Sequence, residues 1–150
     1  MKSLVVAIDF SEITSLLIKE AVRLAACYKA RVYLIHIAAP DPDFVGYNVG
    51  PVEERQFRVK ELRTEKKNLE RLATEVTALG VDAVPLLIQG ETAKSIVKEV
   101  VKLKASFLMM GTHGKGLAKT TLLGSTSHEI LQHASCPVIL IPHRAIERIR

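Results

Sequence analysis

Apolar residues follow two alternating patterns along this chain. Short, nearly uninterrupted apolar runs are typical of strands buried on both faces of a sheet. Between these runs, apolar residues recur every three or four positions, which predicts helices with one buried face. The runs predict strands at Leu4–Ile8, Arg31–Ile37, Ala83–Ile88, Ser106–Met110 and Pro137–Ile141. The helical spacing predicts helices at Ile13–Tyr28, Glu53–Leu79, Thr92–Val101 and Ser125–His133.

Residues with known capping preferences stand at three of the predicted helix ends. Ser11 and Thr92 each precede or open a periodic segment, where a hydroxyl side chain is a common N-cap. Gly80 follows the longest helix, where glycine readily takes the left-handed conformation of a C-cap. In the third helix, Ile96 and Val101 are both expected on the buried face.

The order of these elements predicts the fold class. Strands that alternate with helices form a parallel sheet with helices on both of its faces. Five strands and four helices suit an open, doubly wound, Rossmann-like α/β sheet better than a closed barrel of eight units. Prolines and glycines between Ala38 and Val52 predict a loop there. No domain boundary or internal repeat is visible, so residues 1–150 are expected to form a single domain.

Composition excludes several classes of protein. No apolar run approaches the roughly 18 residues of a membrane span, and the start does not resemble a secretory signal. Cys27 and Cys136 are far apart, which excludes a zinc ribbon or redox pair and predicts two small buried residues in a reducing, cytoplasmic setting. The net charge of +5 raises nucleic acid, phosphate or acidic lipid as partners. Because the positive residues are dispersed and no aromatic–basic motif occurs, the charge favours a small anionic ligand, and neither nucleic acid nor a membrane is expected as a partner.

Candidate chemistry lies just after the predicted strands. In an open parallel sheet, ligands bind beyond the carboxyl ends of the strands, where the winding direction reverses. Asp9 follows the first strand, and a glycine-rich segment, Gly111–Gly116, follows the fourth. If these two strands flank the reversal, then Asp9 and the glycine-rich segment face one crevice.

The glycine-rich segment and the helix start after it have the properties of an anion cradle. Glycines allow backbone N–H groups to converge on phosphate oxygens, and a helix N-terminus adds unpaired donors. Lys115 and Lys119 could add positive charge. Neither the Walker A spacing nor the dinucleotide fingerprint fits the residues around Gly116, and a purely structural connection explains the pattern about as well.

A longer set of residues resembles the universal stress protein family. Its ATP-binding signature, G-x2-G-x9-G-[S/T], is matched by Gly111, Gly114, Gly124 and Ser125. Further matches lie in the same order along nearly the whole chain: Val6–Glu12, Leu34–Ile37, Gly90 with Ile96, and Cys136–Pro142. Several separated matches in one register are much more specific than any single glycine pattern.

This resemblance implies a fold, a ligand and a role. It implies the strand order 3-2-1-4-5, a homodimer that pairs through the C-terminal strand, and the ATP-binding branch of the family. The function implied is a nucleotide-dependent stress-response or signalling module that acts through a protein partner. Thr92 is one departure, because many relatives have proline there.

The resemblance also implies which residues contact ATP and Mg²⁺. Asp9 would contact the nucleoside or its metal ion, and Ile37 would meet adenine. Met110, Gly111 and Thr112 would line the ribose, while Gly114, Gly124, Ser125 and Thr126 would meet the phosphates. Ala7, His113 and Lys115 complete the expected set of nucleotide-binding residues.

Simpler interpretations stand beside these assignments. Asp9 could only cap a turn, Lys115 and His113 could only be solvated, and His36 is expected to be a structural residue. No nucleophile elbow or carboxylate pair stands near the cradle. An enzyme, either a slow ATPase or a nucleotidyl transferase, is the first alternative function, and a nucleic-acid-binding protein is the second.

Overall fold

A computed structural model describes residues 1–39, 52–113 and 123–146, with side chains of 52–55 left aside. The described residues form five strands and four helices that alternate as the apolar pattern predicts. The strands are β1 (Lys2–Ala7), β2 (Ala30–Ala38), β3 (Ala83–Gln89), β4 (Phe107–Gly111) and β5 (Val138–Ile141). The helices are α1 (Thr14–Tyr28), α2 (Val52–Ala78), α3 (Thr92–Lys102) and α4 (Ser125–His133), followed by a short 3-10 helix at His143–Ala145.

All five strands are parallel and lie in the order β3-β2-β1-β4-β5, which confirms the expected order and fold class. The chain adds strands on one side of β1 up to β3 and then crosses to the other side for β4 and β5. The winding direction therefore reverses between β1 and β4, where Val5 pairs with Leu108 in register.

The helices cover the sheet in two layers, and each layer has its own core. Leu4 and Val6 of β1 pack with buried residues of α1 and α2. Val5, between them in sequence, packs with buried residues of α3 and α4 on the opposite face. Side chains alternate between the faces of a strand, so covering both faces requires the continuous apolar run seen in β1.

The predicted N-caps at Ser11 and Thr92 are wrong. Ile13 occupies the N-cap position of α1, and Glu91 that of α3, and neither makes a side-chain capping hydrogen bond. The Ser11 hydroxyl instead donates to Oδ1 of Asp9 at 2.6 Å. The Ser11 hydroxyl therefore bonds to the carboxylate of Asp9 and does not cap α1.

The prediction for Gly80 is confirmed. Its φ is +83°, in the left-handed region, directly beyond the end of α2. Its N–H donates to the carbonyl of Thr77 at 2.9 Å, and the N–H of Val81 donates to the carbonyl of Val76 at 3.4 Å. This is the Schellman arrangement, in which a left-handed residue allows two of the last helix carbonyls to be satisfied.

Two expectations about burial need correction. Cys27 is exposed and Cys136 is only half-buried, whereas both were expected to be buried. Both are free thiols. Burial raises the pKa of the Cys136 thiol. Val101 is 57% exposed because it lies on the outer side of α3, while Ile96 is 3% exposed and is buried as expected.

Among the residues described, no helix has both the length and the apolarity that crossing a membrane would require.

Substituting Gly80 should test the conformational requirement at the end of α2. Gly80→Ala is expected to lower the free energy of unfolding by about 1 kcal/mol, because an alanine resists the left-handed conformation. Gly80→Asn should lose less, since asparagine tolerates that conformation. In the part of the chain that the structure describes, no atom beyond the two residues adjacent in sequence lies within 4 Å of an added Cβ, so steric contact is not the cause. Urea denaturation measures both values, and equal losses would contradict this explanation.

Candidate functional site

A cleft opens at the carboxyl ends of the strands, where the winding of the sheet reverses. It has a volume of about 230 Å³, somewhat below the roughly 300–1,000 Å³ that is typical of small-molecule sites. Its walls come from the ends of β1, β2 and β4, and from the facing turns of α1, α3 and α4. The cleft therefore lies where the topology of an open parallel sheet places a ligand.

Seven of the twelve residues expected at the site line this cleft. They are Ala7, Asp9, Ile37, Met110, Gly111, His113 and Thr126. They come from the ends of three strands and from one helix, and the first and last of them are 126 − 7 = 119 positions apart in sequence. The cleft thus brings together residues that the strand-end argument had placed at a common edge.

The other expected residues divide into two groups. Thr112, Gly124 and Ser125 lie next to the cleft but are not part of its described wall. The N–H of Gly124 donates to the carbonyl of Thr112 at 2.8 Å, which brings the start of α4 back to the end of β4. Gly114 and Lys115 lie outside the described residues, as does Lys119.

Asp9 occupies a tight turn at the end of β1. Its Oδ1 accepts hydrogen bonds from the N–H of Ser11 at 3.0 Å and from the hydroxyl of the same residue. Its Oδ2 has no protein partner within the described part of the chain. Asp9 therefore organises the turn with one oxygen, as the simpler interpretation held, while its half-buried side chain also borders the cleft.

The N-terminus of α4 approaches the cleft from the side of β4. Gly124 is the N-cap and has no side chain to cap the helix, so within the described residues the first N–H groups of α4 have no side-chain capping partner from this position. The buried hydroxyl of Ser127 donates to the carbonyl of Gly111 at 3.2 Å, which joins α4 to the end of β4. A helix terminus with free donors favours anionic groups through its backbone dipoles.

Sequence reasoning missed the apolar floor of the cleft. The floor includes side chains from β2 and three helices: Ile13, Leu17, Ile35, Ile96 and Ile130. The sequence spacing of these residues shows only that they are buried. Most residues with such spacing belong to the core, so the pattern does not indicate which of them line a cleft. The one available signal was position, since Ile96 lies in the first turns after a strand end. Ile8, His36 and Thr92 complete the missed lining residues, and Ser127, one of the hydroxyl residues at the helix start predicted to form the anion cradle, also lines the cleft.

The cleft is mainly apolar and has few charged groups. Asp9 is the one carboxylate in its described wall, and His36 and His113 are the two imidazoles. No group of three or more His, Cys, Asp or Glu residues able to hold a metal ion occurs within the ranges that the structure describes. Such a cleft can bind a flat apolar group on its floor and an anion near α4.

Comparisons with known proteins agree with this architecture. The model of the universal stress protein family matches residues 1–142. A universal stress protein of Thermus aquaticus is 31% identical over 144 residues, which are 93% of this chain and 98% of the relative. A solved member of the family from Burkholderia pseudomallei is 27% identical, with a TM-score of 0.70 over 94% of this chain and 96% of that one.

Two more distant structures share the fold and were solved with nucleotides. A universal stress protein of Archaeoglobus fulgidus in complex with dAMP is 19% identical, with a TM-score of 0.70 over 94% of this chain and 98% of that one. Another, in complex with cAMP, is 18% identical, with a TM-score of 0.64 over 94% and 96%. The match of the family model over almost all of the chain decides the classification: this chain belongs to the universal stress protein family.

The Ser127 hydroxyl should contribute measurably to stability. Ser127→Ala is expected to lower the free energy of unfolding by about 1 kcal/mol, because the carbonyl of Gly111 loses a buried donor. Ser125→Ala, at an exposed position in the same turn, is the matched control and should change the value by less than about 0.5 kcal/mol. Denaturant unfolding without nucleotide measures both variants. Equal effects would show that the hydrogen bond does not stabilise the junction.

Proposed function

We propose that this protein binds ATP with Mg²⁺ in the cleft and acts as a nucleotide-dependent stress-response module in the cytoplasm, with residues 1–150 as one unit. The observation that carries the proposal is the pairing of an apolar floor with the N-terminus of α4 at the reversal of the sheet. A nucleotide has the same polarity, because it joins an apolar base to a strongly anionic phosphate chain. The two bound nucleotides in distant relatives support an adenine ligand.

The proposed contacts follow the length of the cleft. Ala7 and Ile37, at the ends of β1 and β2, would contact the adenine ring. Met110, Gly111 and Thr112, at the end of β4, would line the ribose. The phosphates would meet the start of α4, with contributions from the glycine signature and its neighbours: His113, Gly114, Lys115, Gly124, Ser125 and Thr126.

Asp9 suits the role of a magnesium contact. Mg²⁺ keeps several of its waters and is commonly bound through one or two carboxylates together with substrate phosphates. The free Oδ2 of Asp9 could supply such a carboxylate oxygen without disturbing the turn that Oδ1 holds. The metal would neutralise part of the charge of the phosphate chain, and the residues of the fold would only orient it.

Binding of ATP and Mg²⁺ should stabilise the protein against heat. A ligand at one hundred times its Kd stabilises the folded state by about 2.7 kcal/mol. Asp9→Asn should weaken the affinity about tenfold in calorimetry, because it removes a charge worth roughly 1.4 kcal/mol but keeps an oxygen for the Ser11 turn. Asp82→Asn removes an exposed carboxylate beside β3, at the other end of the strands, and should leave the affinity unchanged.

Two results would overturn this proposal. One is the absence of any stabilisation by millimolar ATP and Mg²⁺. The other is equal weakening by the Asp9 and Asp82 substitutions, which would place the effect outside the cleft. Sustained phosphate or pyrophosphate release that disappears in Asp9→Ala would instead favour a slow ATPase or a nucleotidyl transferase.

The proposal includes a homodimer formed through β5. This strand lies at the edge of the sheet and pairs on one side with β4. The carbonyls of Pro137 and Ile141 accept hydrogen bonds from β4 and from Thr112, so alternate residues Val138 and Leu140 direct their backbone groups away from the sheet. An open edge with apolar side chains is a template for pairing with a second strand.

A proline at the open edge should disrupt this dimer. Leu140→Pro removes an outward N–H without removing a bond to β4, a position where sheets tolerate proline. Sedimentation equilibrium should then give a mass near 16.5 kDa, against twice that mass for the unmodified chain. Val59→Lys, at an exposed apolar position of α2, is the control and should remain dimeric. A monomeric unmodified chain would contradict the proposal.

A further inference from the structure

The side chain of His36 makes a hydrogen bond in place of a backbone N–H at the point where β1 leaves the sheet. The N–H of Ile8 still donates to the carbonyl of Ile35 at 2.8 Å, which continues the ladder between β1 and β2. The carbonyl of Ile8 is not taken by the next backbone N–H of β2. It lies instead 2.7 Å from Nδ1 of His36, and a carbonyl can only accept, so Nδ1 is the donor.

The residue that follows Asp9 also contacts His36. Phe10 has a φ of +57°, in the left-handed region that bulky side chains rarely enter. Such a conformation persists only when surrounding contacts hold it. The Phe10 ring packs against the imidazole of His36 with 4.6 Å between the ring centroids. His36 therefore contacts the residues on both sides of Asp9.

Helix α2 approaches the other nitrogen of the His36 imidazole. Nε2 of His36 lies 3.6 Å from Oε1 of Glu65, in the middle of α2. The His36 side chain is only 12% exposed, and Oε2 of Glu65 is buried with no hydrogen-bond partner among the described residues. The imidazole is thus confined between the turn at the end of β1 on one side and α2 on the other. It also borders the cleft.

We propose that His36 is a positioning residue that fixes the Ile8–Ser11 turn and thereby holds Asp9 in place at the cleft. The consequence for ligand binding rests on the proposed nucleotide site, whereas the consequence for the turn does not. The nitrogen that matters is Nδ1, because it holds the carbonyl immediately before Asp9. Loss of the hydrogen bond between Nδ1 and the Ile8 carbonyl would release the first residue of the Ile8–Ser11 turn.

Two amide variants separate the two ring nitrogens of His36. The side-chain nitrogen of asparagine can occupy the place of Nδ1, and that of glutamine the place of Nε2. His36→Gln is therefore expected to speed hydrogen exchange of the Ile8 and Ser11 amides by about tenfold and to weaken ATP–Mg²⁺ affinity by a similar factor. His36→Asn should stay within about threefold of the unmodified protein in both measurements. Both variants lose the contact with the Phe10 ring equally.

Two controls keep the test specific. His133→Gln changes a histidine on α4 whose Nδ1 lies near its own helix carbonyl at Glu129, and it should alter neither measurement. Exchange of the Leu108 and Met109 amides in β4 reports whether each variant is folded. Nitrogen NMR of the unmodified protein should find a proton on Nδ1 of His36, and this measurement needs no variant.

The outcomes distinguish this inference from the proposed function. Equal effects of the asparagine and glutamine variants, or an Nδ1 without a proton, would overturn the positioning role. Faster exchange in His36→Gln with unchanged ATP–Mg²⁺ affinity would overturn the link between the turn and the ligand. If the unmodified protein binds no nucleotide but the exchange pattern appears, the proposed function fails while His36 still positions the turn.

Discussion

The fold depends on the burial of β1 on every side. β1 is paired with β2 and β4 at its two edges and is covered by a helical layer on each face. Its side chains from Leu4 to Val6 are fully buried. A strand in this position must be apolar throughout, and polar atoms can appear only where it ends. Asp9 stands at that limit, so the need to bury β1 also decides where the cleft can form.

Much of the fold could be predicted from the sequence, because the pattern of burial repeats along the chain. The run from Leu4 to Ile8 indicates a strand covered on both faces, and the helical spacing indicates one-sided helices. The alternation of elements gave a parallel sheet, but the order of its strands came from the family resemblance. Local capping signals were less reliable. Gly80 behaved as expected because its left-handed backbone is what the Schellman arrangement requires, whereas the Ser11 hydroxyl donates to the nearby carboxylate of Asp9.

The candidate site was only partly visible in the sequence. Polar and glycine residues at strand ends, such as Asp9 and Gly111, are conspicuous because they interrupt apolar runs. The cleft floor is different, since Ile96 and Ile130 have the spacing of ordinary core residues and line the cleft only because the sheet ends beside them. His36 shows a further limit. Its sequence position indicates a structural residue, but only the three-dimensional contacts show which turn it holds.

The backbone of Thr112 makes two hydrogen bonds at the end of β4. Thr112 donates its N–H to Ile141 and accepts from the N–H of Gly124, so strand β5 and helix α4 are both joined to the chain at one residue. The fold is thus complete on either side of the segment between Thr112 and Gly124. Changes in sequence between these two residues leave both backbone bonds of Thr112 in place, so β5 and α4 stay joined to the end of β4. Insertions and substitutions between Thr112 and Gly124 are therefore expected to cost the fold little stability.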